Sequence, residues 1–409
     1  MAMRIGIDAT CWANDRGYGR FTRELVTAMT ALSPGDQFVC LLDRRSADRF
    51  TLSGSHITSI VVDEDGPEAG GAAVTGAGRS PIDMLRFTRA VHRARLDVFF
   101  SPSVYGYFPL PLGLPAVVTV HDAIPERFPR LTLPTWRDRL FWRMKVRLAL
   151  WQSRLVLTVS DYAARDVAKY LRVPSGRMRV TLEGVAAEYE PSRRDEDVRA
   201  AAERAGVPAG ARWLIYVGGF GPHKHVDVLV RAHAAATKLT GAAPIVLLLV
   251  GPSSDGFHQD IAAIRQAIDD CGTAPLVKWA GYLPDAELRH LHSGALALVL
   301  ASASEGFGLP AVEAARCGTP VIATTESPLP ELLEGGGLFV PPDDVAALTD
   351  AIVQLATNEE RRRTLGRRAL ERAGLLNWSA SARVALDALR EAARTQPALA
   401  VSDLKGSRP

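Results

Sequence analysis

The sequence predicts an α/β protein made of two doubly wound, Rossmann-like halves, and three observations carry that expectation. At 409 residues the chain exceeds the size at which one hydrophobic core keeps growing, so two domains are expected. Both halves alternate short apolar runs, such as RIGIDAT at Arg4–Thr10 and WLIYV at Trp213–Val217, with segments of helical periodicity. That alternation means parallel sheet covered on both faces. Between the halves, from Glu188 to Gly210, the sequence turns polar and charged, as a linker with a short helix would.

Composition narrows the function classes. Hydrophobic residues make up 47% and charged residues 23%, the balance of an ordinary globular α/β chain. A net charge of +3 gives no bulk electrostatic case for nucleic acid. Cys11, Cys40, Cys271 and Cys317 lie scattered in or beside apolar segments without C-x-x-C spacing, which points to a reduced cytoplasmic interior rather than a disulfide frame or a zinc site. The chain is expected to enter a strand at Met3 without a signal peptide, and no apolar run reaches the ~18 residues that would span a bilayer.

In the first half, Arg4–Thr10 reads as a buried strand, followed by Arg16-Gly17-Tyr18-Gly19-Arg20 and a helix from Phe21 to Leu32. Glycines at a first strand–helix junction let backbone or ligand come close, although G-x-G without a third glycine is not a dinucleotide fingerprint. Strands are expected at Gln37–Asp43 and Ile57–Val62. Asp63-Glu64-Asp65 has D-x-D form but opens an acidic, glycine-rich stretch to Ser80, which reads as a solvated loop. After the helix Ile82–Arg95 come strands Val98–Ser101 and Pro115–Val120, and His121-Asp122 closes the latter on the ligand-binding edge of the sheet. The helix Thr135–Trp151 mixes Arg137, Arg139, Arg143, Lys145 and Arg147 with aromatics. It fits either a packed amphipathic helix with solvated charges or a helix on a membrane surface. Strand Arg154–Ser160, helix Asp161–Leu171 and strand Met178–Leu182 complete the half.

In the second half the loop Gly218-Gly219-Phe220-Gly221-Pro222-His223-Lys224 joins the first strand to its helix, Val226–Leu239. Its glycines permit close approach, and Lys224 can set a point charge on a diphosphate. Strands are expected at Ile245–Val250, Leu276–Trp279, Ala295–Ala301, Val321–Thr325 and Gly337–Val340, with helices Ile261–Cys271 and Asp285–Ser293 between. After Asp343 the chain reads as helical to about Thr395, punctuated at Asn377-Trp378, and 396–409 as a disordered tail.

The most informative stretch is SASEGFGLPAVEAARCGTP, Ser302–Pro320. The strand before it is broken by Gly306 and Gly308, Pro310 opens a helix, and Gly318 and Pro320 end it. The N–H groups of Phe307, Gly308 and Leu309 are left without intrahelical partners, and the helix dipole favours an anion there, a phosphate above all. Glu305 and Glu313 flank that point, eight residues apart. Carboxylates repel phosphate and suit hydroxyls on either side of it, such as a sugar and a ribose; an acidic residue also simply favours a helix N-terminus.

This stretch closely resembles the E-x7-E segment of retaining glycosyltransferases of family 4 (group 1), which have the GT-B fold. His121-Asp122-x-x-Pro125 is similar to the family's HDxxP segment, the loop ending in Lys224 to its G-x4-K loop, and Gly17 and Gly19 to its glycine loop facing the cleft. The resemblance covers nearly the whole chain and is strongest from Trp213 to Pro342. It implies two Rossmann-like domains facing a central cleft, with residues 1–190 on the acceptor side, a linker at 191–210 and a nucleotide-sugar domain at 211–378. A last helix, 379–395, would cross back to the first domain. It further implies that Glu305 and His121 lie at the donor sugar, that Glu313 binds the ribose, and that Lys224 binds the phosphates with the backbone of Phe307, Gly308 and Leu309. Gly17, Gly19, Gly218 and Gly219 would complete the donor site. Relatives often carry an arginine in the phosphate loop where this chain has Gly219 and His223, so either His223 helps or Lys224 and backbone N–H groups suffice.

The implied activity is a retaining hexosyl transfer (a hexosyltransferase), GDP-mannose or a UDP-hexose serving as co-substrate, with a lean to mannose and to polysaccharide biosynthesis. No metal or other cofactor is expected. A glycan, lipid-linked or small-molecule acceptor is expected, in the cytoplasm or peripherally on the inner membrane face through residues 135–151. A sugar-nucleotide epimerase on the same fold and a non-catalytic nucleotide-sugar-binding protein are the alternatives; intact Glu305, Glu313 and Lys224 argue against the second.

Overall fold

The computed structural model describes residues 2–63, 79–241, 244–252 and 260–394. Among these, two sheets of parallel strands form the framework. The first contains β1 (Arg4–Asp8), β2 (Gln37–Leu42), β3 (Ile57–Val61), β4 (Val98–Ser101), β5 (Ala116–Thr119), β6 (Leu155–Thr158) and β7 (Met178–Val180). Its order is β3-β2-β1-β4-β5-β6-β7. The second contains β8 (Arg212–Val217), β9 (Ile245–Val250), β10 (Val277–Gly281), β11 (Ala297–Leu300), β12 (Val321–Thr324) and β13 (Gly337–Val340), in the order β10-β9-β8-β11-β12-β13. Each order reverses beside its first strand, so each sheet has a switch point: between β1 and β4, and between β8 and β11.

The inner strands are short and buried on both faces because helices cover them on both sides, whereas the edge strands β3, β7, β10 and β13 are only partly buried. In the first half these are α1 (Gly17–Leu32), α2 (Pro81–Arg93), α3 (Trp136–Gln152) and α4 (Asp161–Leu171). In the second they are α5 (Asp195–Arg204), α6 (Val226–Thr240), α7 (Ile261–Cys271), α8 (Asp285–Gly294), α9 (Leu309–Arg316), α10 (Val345–Thr357) and α11 (Glu359–Ala373). α12 (Trp378–Arg394) closes the described chain. On α1, Phe21, Leu25, Val26 and Met29 recur at helical spacing and are wholly buried against the sheet. Side-chain caps start several helices: Ser80 for α2, Ser160 for α4, and Thr135 with Asp138 in a reciprocal capping box for α3.

Two segments refine the expectations. The 191–210 stretch holds α5, which packs on α8 with Ala201 and Ala202 buried, so this part of the polar stretch belongs to the second core. The region after Asp343 breaks at Asn358 as well as near Asn377, because the Asn358 side chain accepts from Arg361 N–H and starts α11. α12 does pack on α1: Trp378 meets Phe21 edge-on at 5.9 Å, and Arg154 on the first half donates to the Ala392 carbonyl at 2.6 Å.

Candidate active site

At the second switch point two loops leave adjacent strand ends. The loop after β8 opens with Gly218-Gly219 and ends in a single 3₁₀ turn, Pro222–Lys224; the loop after β11 runs into α9. Lys224 Nζ donates to Glu305 Oε1 at 2.8 Å, joining positions 81 residues apart in the chain. Ser302 Oγ donates to the same oxygen at 2.6 Å, and Ala303 N–H donates to the His223 carbonyl at 2.8 Å. Glu305 is 8% exposed, so its charge and that of Lys224 are compensated by each other rather than by bulk water. Both side-chain bonds fall on Oε1, which leaves Oε2 able to accept from a hydroxyl.

Gly308 adopts φ +85° as the residue before α9, a left-handed conformation that glycine takes without steric cost. Among the described residues the N–H groups of Phe307, Gly308 and Leu309 have no hydrogen-bond acceptor, and they collect at the helix N-terminus beside Lys224 and Glu305. The arrangement is a donor set that an anion could meet, flanked by a carboxylate that prefers hydroxyls.

His223 gains no positive charge here. Burial, with Lys224 beside it, pushes its imidazole down to about 3, and its buried Nδ1 has no partner among the described residues. A neutral ring cannot replace a missing arginine by charge. Gly218 has φ +156°, and a Cβ there would lie 3.0 Å from the Tyr216 hydroxyl, whereas a Cβ on Gly219 would meet nothing within 4 Å. Gly219 therefore leaves the loop open on its outer side.

The first half brings its own switch-point residues to the cleft. α1 begins at Gly17, where a Cβ would meet nothing within 4 Å. A Cβ on Gly19 would fall 2.0 Å from the Asn14 carbonyl oxygen, so Gly19 is required by the turn itself. Arg16 acts electrostatically on both His223 and Tyr105, which puts this loop close to the loop after β8 of the opposite sheet. His121 follows β5. Its Nε2 donates to the Pro102 carbonyl at 2.9 Å, and Nδ1 lies 3.5 Å from Glu183 Oε1. The ring is thus anchored within the first half, while the His121 carbonyl faces Gly306, where a Cβ would come within 2.4 Å of it. Burial raises the Asp122 carboxyl, whose Oδ1 accepts from Ile124 N–H at 2.9 Å.

Glu313, one turn into α9, is 3% exposed. Its Oε1 lies 3.1 Å from Arg20 Nη1, a residue of α1 on the opposite half. Arg20 Nη2 also donates to Asp285 Oδ1 at 2.6 Å, and the Tyr189 hydroxyl donates to that oxygen at 2.8 Å. Burial pushes the Glu313 carboxyl up to about 8 against the downward pull of Arg20.

Sequence spacing identifies Glu305, Glu313 and Lys224 but misses Ser302, Tyr189, Asp285 and Arg20 as their partners. Only the serine carries a local signal, three residues before Glu305. Arg20 and Asp285 are 265 residues apart and meet only through packing. Of Asp63-Glu64-Asp65, Asp63 pairs with exposed Arg44 at 2.8 Å, and the other two lie outside the described residues. No cluster of three or more metal-ligating side chains occurs among the described residues.

Comparison with known proteins covers both halves. The family described as Glycosyltransferase Family 4 matches residues 17–189, and the one described as Glycosyl transferases group 1 matches residues 197–372. O-antigen chain mannosyltransferase B of Escherichia coli is 28% identical over 293 residues, which are 69% of this chain and 71% of that protein. The D-inositol 3-phosphate glycosyltransferase of Saccharomonospora viridis is 32% identical over 290 residues, 68% of this chain and 65% of that one, just under two thirds of its length. Among solved structures, sucrose-phosphate synthase from Thermosynechococcus elongatus superimposes with a TM-score of 0.74 at 22% identity, covering 96% of this chain and 99% of that one. Anabaena HepE in complex with UDP and glucose gives 0.71 at 19% identity, covering 95% and 100%. With one glycosyltransferase family matched on each half and this architecture between them, the chain belongs to the group 1, family 4 glycosyltransferases and has the GT-B fold.

Proposed function

We propose that the protein is a retaining hexosyltransferase that uses a nucleoside diphosphate sugar and needs no metal. The observation that supports this best is the Lys224–Glu305 pair beside the open N-terminus of α9, a cation and backbone donors for a diphosphate with a carboxylate for the adjoining sugar. Breaking the anomeric C–O bond develops positive charge on the sugar and negative charge on the leaving diphosphate. Lys224 and the N–H groups of Phe307 to Leu309 stabilise the latter. The acceptor hydroxyl attacks on the same face, and its proton passes to the leaving phosphate, so Glu305 orders the sugar rather than forming a glycosyl ester. His121, whose ring nitrogens are both engaged within the first domain, borders the sugar without a hydrogen bond from its ring, with Glu313 on the ribose and Gly17, Gly218 and Gly219 lining the donor. GDP-mannose is the favoured donor over UDP-hexoses, in keeping with the O-antigen mannosyltransferase among the relatives; HepE, by contrast, was solved with UDP and glucose.

The reading extends to a glycan or lipid-linked acceptor and a peripheral site on the cytoplasmic membrane face. No helix among the described residues is long and apolar enough to cross a membrane. α3 nevertheless exposes Trp136, Leu140, Phe141, Met144 and Trp151 together with Arg137, Arg143 and Arg147. Apolar anchors among cations suit an anionic lipid surface. The free thiols of Cys11, Cys40, Cys271 and Cys317 fit a reducing compartment.

The test is turnover of a panel of sugar nucleotides in EDTA, followed by kinetics of Lys224→Ala. If Lys224 acts on charge that grows in the transition state, kcat and kcat/KM both fall by about 10²–10³-fold. Lys224→Arg does not restore them, since a planar fork fits poorly where a point charge reaches Glu305. A raised KM at constant kcat would reduce Lys224 to a binding residue. Activity lost to EDTA and restored by magnesium would overturn the metal-free reading.

A further inference from the structure

Glu313 belongs to the second domain, yet its cationic neighbour belongs to the first. Arg20 spans the cleft with both terminal nitrogens engaged, Nη1 at 3.1 Å from Glu313 and Nη2 at 2.6 Å from Asp285, and its guanidinium lies 5.5 Å from the Tyr189 ring centroid. We propose that Arg20 is a positioning residue for the donor nucleotide, pairing with the Glu313 carboxylate and orienting it toward the ribose hydroxyls. The inference rests on the reading of Glu313 as the ribose acceptor.

The surroundings of Glu313 require such a partner. Asp285 on α8 and Glu183 after β7 both add negative potential, the Tyr189 phenol brings no charge although its hydrogen bond favours the carboxylate, and Cys317 at the end of its own helix is a buried neutral thiol. Arg20 on α1 is the cation among the groups that act on the Glu313 carboxyl. Without it, a 3% exposed carboxyl facing two acids keeps its proton to still higher pH, and a neutral acid is a weaker acceptor for a sugar hydroxyl than a carboxylate. Arg20 stands four residues from the start of the glycine loop segment at Arg16, so the element that approaches the donor phosphates also secures the ribose. Donor binding and domain closure are thereby coupled, because Arg20 reaches Glu313 only when the halves are together.

The sign of the pH effect follows from the carboxyl, which accepts best when ionised. Burial sets Glu313 at about 8 with Arg20 present, so nucleotide affinity rises as pH passes through that region, and loss of Arg20 moves the rise to higher pH. The experiment is calorimetric titration of UDP, GDP, ADP and dTDP into wild type, Arg20→Ala, Arg20→Lys, Glu313→Gln and the Arg20→Ala/Glu313→Gln double variant between pH 7 and 9. Far-UV circular dichroism checks that each is folded. Expected is an affinity about 10-fold or more lower for Arg20→Ala at pH 7, with an intermediate loss for Arg20→Lys. Glu313→Gln should show no rise with pH, and in its background Arg20→Ala should add nothing. Unchanged or tighter binding by Arg20→Ala, or additive losses in the double variant, would overturn the role of Arg20 while leaving Glu313 on the ribose. Unchanged affinity in Glu313→Gln, or no binding of any of the four nucleotides to wild type, would instead remove the ribose reading beneath it.

Discussion

Glu126 shows how a single carboxyl with a buried oxygen ties the stability of the fold to solution pH. Trp142 Nε1 donates to its Oε1 at 2.6 Å, while Oε2 is buried without a partner among the described residues. Burial pushes the carboxyl up to about 7, well above its ordinary 4.5. Between those values the folded protein binds a proton that the unfolded chain releases, so this group's contribution is full below about 4.5 and is lost as pH rises through about 7. Glu126→Gln keeps the acceptor for Trp142 and removes the titration. Its stability relative to wild type should therefore increase by roughly 2 kcal/mol between pH 4.5 and pH 8, as read from urea unfolding. A constant difference across that range would show that Glu126 does not titrate there. Residue-scale features of this kind are the least legible in sequence. Glu305, Glu313 and Lys224 stand out because strand–loop–helix spacing fixes where they lie, whereas the roles of Glu126, Arg20 and Asp285 are created by neighbours distant in the chain.

At the scale of elements, α9 and α3 mark the extremes of what periodicity reveals. α9 is bounded by glycine and proline, so the sequence expectation and the structure agree within two residues at its start. α3 is apolar on more than one side, and composition could not assign its faces. The structure buries Trp142, Val146 and Ala149 and leaves Trp136 and Trp151 67% and 70% exposed. Arg139 spends its donors on the carbonyls of Leu133 and Pro134, so the cations free to meet a surface are better sought at the exposed Arg137, Arg143 and Arg147. Flotation with vesicles containing phosphatidylglycerol should show binding that fades as salt rises, because exposed charges are screened within ~10 Å at 0.1 M. Arg143→Glu/Arg147→Glu should weaken it, and Trp136→Ala/Trp151→Ala should weaken it at every salt concentration. Retention undiminished by both double variants would place any membrane contact elsewhere.

The whole molecule is held closed by contacts that join the two sheets directly. Arg127 and Tyr162 of the first half both donate to Glu326 Oε2 of the second, the tyrosine at 3.0 Å, and Ser160 Oγ donates to the Gly306 carbonyl at 2.6 Å. The rim pair is partly exposed and worth at most about 1 kcal/mol, so it favours closure without locking it. The decisive contact is steric. Gly306 lies against His121, and a Cβ there would stand 2.4 Å from the His121 carbonyl oxygen and 3.0 Å from Asp122 Cβ. Both neighbours are backbone or near-backbone atoms of the opposite half, so they cannot turn aside as a side-chain tip would. Gly306→Ala should therefore hold the cleft ajar by an ångström or more. If catalysis needs His121, Arg20 and the phosphate loop together, kcat should drop by about 100-fold, the order of loss expected from a misplacement of ~1 Å. X-ray scattering should report a larger radius of gyration with unchanged secondary structure. Arg127→Ala, which removes only the rim pair, should lower kcat far less. Equal effects of the two variants, or a Gly306→Ala protein with wild-type scattering and turnover, would mean that the β11–α9 loop absorbs the methyl group locally and that closure is governed by other contacts.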